Sequence, residues 1–170
     1  MSESILYHAQ PRHLRLTTLA TLGVLVTTAA HHIYGADLFS TPWRLHIVYI
    51  SIPAAILILG TIPIARADAR RLSSRIASWV YFLVSGGFAV GMIGFYEGGY
   101  NHLLPNIQYV LGAETTLREG LYQPPDDPIF QLSGIAQFFI ALFAGWGLVG
   151  LATGRGARAA AASLSGRRGA

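Results

Sequence analysis

Four uninterrupted apolar runs, each long enough to cross a bilayer as a helix, constrain this chain more than any other feature. They cover roughly residues 14–35, 42–65, 76–96 and 128–153. A hydrocarbon core about 30 Å thick requires about 20 apolar residues at a helical rise. A strand of that length facing lipid would leave its backbone groups without partners, so the runs are expected to be helices. The expected architecture is an all-α integral membrane protein, a four-transmembrane-helix bundle running up-down-up-down. Residues 1–155 form the membrane domain, and 156–170 form a disordered basic cytoplasmic tail rich in Ala, Arg, Ser and Gly.

Local signals mark the ends of the runs. Thr41-Pro42 and Asp127-Pro128 pair a capping residue with proline at the first helical position. Gly98-Gly99 is expected to close the third helix, and Pro53 to kink the second. Between the third and fourth runs, Leu103 to Leu111 has the spacing of a short helix lying in the interface. The first run is too long and too threonine-rich for the core of a cleaved signal peptide, so it is read as a retained helix.

Orientation follows from the arginines. Arg12, Arg15, Arg66, Arg70, Arg71, Arg75, Arg155, Arg158, Arg167 and Arg168 fall on one side of a four-span topology, with Arg44 and Arg118 on the other. The positive-inside rule makes the first side cytoplasmic and places both termini there, in a cell inner (plasma) membrane. This arrangement also explains the net charge of +4 without a nucleic-acid partner, because the basic residues flank apolar runs and do not build one basic face. The expected partners are the lipid bilayer and a homo-oligomer or larger membrane complex. Gly87-x3-Gly91, Gly94-x3-Gly98 and Gly150-x3-Gly154 permit close helix packing of the kind such assemblies use, although packing within one bundle is the simpler reading.

Composition removes several chemistries. The chain has no cysteine, which excludes disulfides, thiolate ligands and thioether-linked haem. All twelve basic side chains are arginine, and without lysine no Schiff base can form.

With helix directions fixed, polar residues distant in sequence meet at the extracytoplasmic end. His31 and His32 end the first span, His46 begins the second, Glu97 and His102 follow the third, and Asp126 and Asp127 precede the fourth. At roughly 100° per residue, Thr17, Thr21, Thr28 and Gly35 form an inward stripe on the first helix. On the third helix Glu97 shares a face with Gly94, Val90 and Gly86, and Asp126, Phe130, Ser133, Gly134 and Gln137 lie along one side of the fourth.

Imidazole and carboxylate together suit first-row transition metals, and helix bundles are recurrent places to collect them. The candidate ligands are therefore His32, His46, Glu97 and His102, with His31 and Asp127 as additional ones, and the candidate ions are Fe, Cu and Zn. Tyr96, Tyr100 and Asn101 are candidates for orienting the imidazoles. Glu97 and His102 are five residues apart, so sharing an ion requires the chain to bend at Gly98-Gly99. Arg44 is expected to snorkel, to pair with Glu97 or to offer a site for an anion. His8 and His13 fall on the opposite side of the membrane and receive no role.

The functional expectation is a small metal-binding membrane protein, either a metal-dependent oxidoreductase or a subunit of a redox complex. Two alternatives belong to it: a quinone-linked cytochrome with haem b held by two of these histidines, and a small-solute transporter or structural accessory subunit with no chemistry of its own.

Overall fold

The computed structural model describes residues 3–112 and 127–167, with side chains described up to 154. The described residues are mostly helical, with no strand among them. Four helical segments are long and apolar enough to cross a membrane: Pro11–Leu38, Pro42–Ala67, Leu72–Val110 and Pro128–Gly154. Glu114, Arg118, Glu119 and Asp126 lie outside the described residues, as do the side chains of the expected basic tail.

Helix α1 (Pro11–Leu38) starts with proline in its first turn. It ends in a reversal where the Thr41 N–H reaches the Ala36 carbonyl (2.9 Å) and the Ser40 N–H reaches that of Asp37 (3.2 Å). Ser40 takes φ 51°, the left-handed conformation that closes a helix in this bonding pattern. A 3-10 turn, Pro42–Leu45, then leads into α2 (His46–Ala67), so His46 begins α2 beside the last turn of α1.

The third span differs from the α-helical expectation. It begins as α3 (Leu72–Phe82) and continues as a π-helix (Leu83–Leu103) before the short α4 (Leu104–Val110). Gly98 and Gly99 lie inside this continuous stretch and do not end it. Six glycines among its 21 residues weaken the preference for the tighter α turn.

Burial follows the wider turn. The buried residues are Ser85, Ala89, Ile93, Gly94, Gly98 and His102. The i→i+5 bonding of a π-helix gives about 4.4 residues per turn, or about 82° per residue, and at that angle these six positions fall within about 80° of one another. At the α-helical value of roughly 100° they would spread over more than half the circumference. Of the inward face expected from Gly86, Val90, Gly94 and Glu97, Gly94 belongs to this buried set, whose members follow at intervals of four and five.

This face packs on α5 (Pro128–Arg167). Gly94 meets Ala141, Gly98 meets the backbone of Gly134 and Phe138, and Gly134 lies against the ring of His102. Helix α1 also packs on α5, with Gly35 at Phe130, Gly23 at Ile140 and Thr17 at Gly147. The inward stripe of α1 is buried as its spacing implied, with Thr17, Thr21, Thr28 and Gly35 all inside. Between the two ends of the bundle lies an apolar cluster of Val24, Leu25, Ala54, Ala89, Ile93 and Ala141.

A methyl group tests these approaches. At Gly98 a Cβ would sit 2.6 Å from the Phe138 nitrogen and 2.9 Å from the Gly134 oxygen, both backbone atoms that cannot rotate away. Gly98→Ala is expected to destabilise the protein by about 1–3 kcal/mol through overpacking. Gly60, with nothing within 4 Å of its Cβ position, provides the control: Gly60→Ala should leave thermal unfolding in detergent unchanged or raise its midpoint.

Candidate metal centre

The site is built from the Nδ1 atoms of three histidines, because each is held in a way that fixes where the other ring nitrogen points. His32 Nδ1 lies 3.0 Å from the Thr28 carbonyl one turn back on α1. A carbonyl only accepts, so Nδ1 carries the proton and Nε2 keeps its lone pair. His102 Nδ1 lies 3.2 Å from Gln131 Oε1, which also accepts from Asn106 Nδ2 at 2.8 Å. That oxygen again only accepts, so His102 Nδ1 carries a proton and Nε2 turns toward Glu97 Oε1.

His31 follows by one more step. Its Nδ1 is 2.9 Å from Ser133 Oγ, and the Ser133 hydroxyl donates to the Phe130 carbonyl at 3.0 Å. Having used its only proton there, the hydroxyl accepts from His31. His31 Nε2 therefore also keeps its lone pair, and it is buried without a hydrogen-bond partner. The His31 ring stacks on Phe130 with centroids 4.2 Å apart.

The three imidazoles gather around Glu97. Its Oε1 is 3.5 Å from His102 Nε2 and 4.0 Å from His32 Nε2, while Oε2 accepts from Asn101 Nδ2 at 2.8 Å. The His31 ring centroid is 4.7 Å from that of His102 and 5.1 Å from that of His32. All three histidines are buried. Glu97 and His102 face the same way with no bend at Gly98-Gly99, because the π-helix brings residues five apart to neighbouring positions.

His31, Glu97 and His102 each offer a ligand atom within 4.8 Å of the others, a group that could hold a metal ion. Lone pairs and a carboxylate gathered in a buried space repel one another unless a cation lies between them. A proton on one imidazole or a shared metal ion would supply it. Two imidazoles and one carboxylate with positions left over match the ligand set of non-haem iron sites, and a third imidazole also suits zinc or copper.

The remaining candidates are placed differently. His46 is exposed, with Nδ1 2.7 Å from the Trp43 carbonyl and its ring stacked on Trp43, 6.5 Å from the ring of His32. It stands at the mouth of the cluster, outside the group of three. Asp127 caps α5: Oδ1 accepts from the Phe130 N–H at 2.8 Å and Oδ2 from the Tyr34 hydroxyl at 2.9 Å. Asn101 holds Glu97 and not an imidazole, and Tyr96 stacks on Tyr100. Arg44 donates to Thr41 Oγ1 at 2.9 Å and lies over Phe39, Trp43 and Phe130, with no ion pair to Glu97 among the described residues.

The residues that hold the rings in place, Thr28, Gln131, Ser133 and Asn106, were not identified by spacing. Thr28 was legible in principle, since a threonine four residues before a histidine sits directly beneath it on a helix.

Capping has a pH consequence. The Phe130 N–H, helped by the Tyr34 hydroxyl, holds the Asp127 carboxyl below the usual carboxylate range. A group with a lowered folded pKa stabilises the fold above its unfolded value, about 4 for aspartate, and loses that contribution as the pH falls through the lowered one. Asp127→Asn should flatten this acid limb of the stability profile, followed by thermal unfolding between pH 5 and pH 2, and leave metal content unchanged. No family model, no curated protein and no solved structure matches this chain.

Proposed function

We propose that this protein binds one transition-metal ion at the extracytoplasmic end of a four-span, up-down-up-down bundle. His31, Glu97 and His102 are the ligands, and His32 stands ready as a fourth. The observation that supports this most is the gathering of three buried imidazoles around one carboxylate, each ring held from behind through Nδ1. Supporting the ring from the far nitrogen is how proteins prepare histidine for a metal. An ion is favoured over haem b because rings 4.7 and 5.1 Å apart suit direct ligands to one small centre. Two axial imidazoles on a haem must leave a macrocycle's thickness between them.

Iron, copper and zinc are the proposed ions. A metal-dependent oxidoreductase, or a subunit of a redox complex, extends this reading through ligand chemistry alone, since two imidazoles and a carboxylate leave coordination positions open to an exogenous oxygen ligand. The topology is supported by the contact order along α5, where rising numbers on α1 and on the π-helix meet falling numbers on α5. The distribution of arginines supports cytoplasmic termini. Helix α4, with exposed Ile107, Tyr109 and Val110, fits a segment lying in the interface.

Protein purified in detergent should contain about one metal ion per chain, by elemental analysis, as a site of this ligand number takes. Glu97→Gln and His102→Ala should each lower that content at least several-fold, whereas His46→Ala should retain most of it. Metal-free wild-type protein that also takes up no added Fe(II), Cu(II) or Zn(II) would overturn the proposal.

Topology is open to a direct test because the natural chain has no cysteine. Ser40→Cys in intact cells should react with a membrane-impermeant maleimide, and Ala69→Cys should react only after permeabilisation.

A further inference from the structure

Gln137 is fully buried, and neither its Oε1 nor its Nε2 has a hydrogen-bond partner. It lies in the membrane-spanning part of α5, where an unpartnered amide is costly and water is scarce. Its position makes the omission informative. Gln137 follows Ser133 by four residues and Gly134 by three, so it shares their face of α5. Ser133 accepts from His31, and Gly134 lies against the ring of His102.

Side chains on an α-helix lean toward its N-terminus, so the Gln137 amide leans over the turn that holds those two imidazoles. His31 Nε2, also buried and unpartnered, belongs to the same region. Deeper in the bundle lies the apolar cluster of Val24, Leu25, Ala54, Ala89, Ile93 and Ala141. An amide both donates and accepts, and the group that satisfies it must do the same while fitting beside a metal.

We propose that Gln137 binds a non-protein ligand of the metal, a water molecule or hydroxide on the membrane-core side of the ion. The inference rests on the metal reading above and adds to it an inner coordination position with its own binding residue. A small anion able to displace water from the metal would occupy the same position and accept from the amide nitrogen.

The test uses the full chain loaded with Co(II), whose visible absorption bands report coordination, titrated with azide. Gln137→Met keeps the length of the side chain without its hydrogen bonds. The variant should bind Co(II) in wild-type amount, show an altered spectrum and bind azide about tenfold more weakly, the loss expected for one hydrogen bond to a charged group. Unchanged spectrum and azide affinity, with a higher unfolding temperature, would show a purely structural amide and overturn the proposal while the metal reading stands. Wild-type protein that takes up no Co(II) would overturn the metal reading and this inference with it. Should Gln137→Met fail to fold, Gln137→Asn supplies the comparison: its shorter amide should weaken azide binding several-fold, and wild-type affinity in that variant would overturn the proposal.

Discussion

The contact between the π-helix and α5 at Gly98 and Gly134 is the constraint from which the site follows. Two helix backbones meet there with no side chain between them, the Gly98 position facing the Phe138 nitrogen and the Gly134 oxygen. In a bilayer, where lipid tails compete equally for apolar surface, such approach is how helices gain packing energy over lipid contact. It also brings the His102 ring onto Gly134 and so within reach of Gln131 and of the face that presents Ser133 to His31. A bulkier residue at either position would separate the helices and, with them, the two imidazoles.

The wide turn of the π-helix acts with that contact. An α-helix would place Glu97 and His102 about 140° apart, since five residues overshoot one turn of 3.6. The wider turn reduces the separation to about 50°, and the carboxylate comes to face the imidazole at 3.5 Å. π-helical geometry is rare and concentrates at functional sites. Here its effect is to put two ligand types on one face with a spacing that would otherwise separate them.

This explains what the sequence made legible. Run length alone identified four helices able to cross a membrane, because the bilayer sets a minimum and nothing else in the chain meets it. On α1 the α-helical angle was the right one, and the stripe from Thr17 to Gly35 is buried as expected. On the third span the same angle was wrong, which shifted the inward face from Ser85, Ala89 and Gly98 to their neighbours, and Gly98-Gly99 read as an end because paired glycines commonly close a helix. For the site, convergence at one end of the bundle was legible for His31, Glu97 and His102, the group that could hold a metal. The prominence given to His46 over His31 was not matched by geometry, because His31 is buried against Ser133 and Phe130 while His46 is exposed and lies on Trp43. Thr28 and Ser133 went unassigned because a hydroxyl on a buried face reads equally well as packing.

The two ends of the bundle treat polar groups in opposite ways, and the difference locates the chemistry. At the end where α2 meets α3, Ser4 donates to the Ala65 carbonyl at 2.7 Å and meets Ser78 at 2.8 Å, Ser74 donates to the Ile64 carbonyl, and Thr18 pairs with the Tyr81 hydroxyl. These groups are matched to one another, and the Leu6 side chain seals beside them. The hydroxyls of Thr21 and Ser85 within the bundle, and of Ser51 near the start of α2, lack partners, yet each sits on a helix one turn from carbonyls to which a rotated hydroxyl can donate. At the other end an imidazole nitrogen and a whole amide are unpartnered on side chains that have no such recourse. His31 is pinned by Ser133 and stacked on Phe130, so it cannot turn its bare nitrogen elsewhere without breaking both contacts. Polar groups that a fold buries, orients and leaves without a protein partner are most simply explained by something that is not protein, and His31 beside Glu97 is such a group.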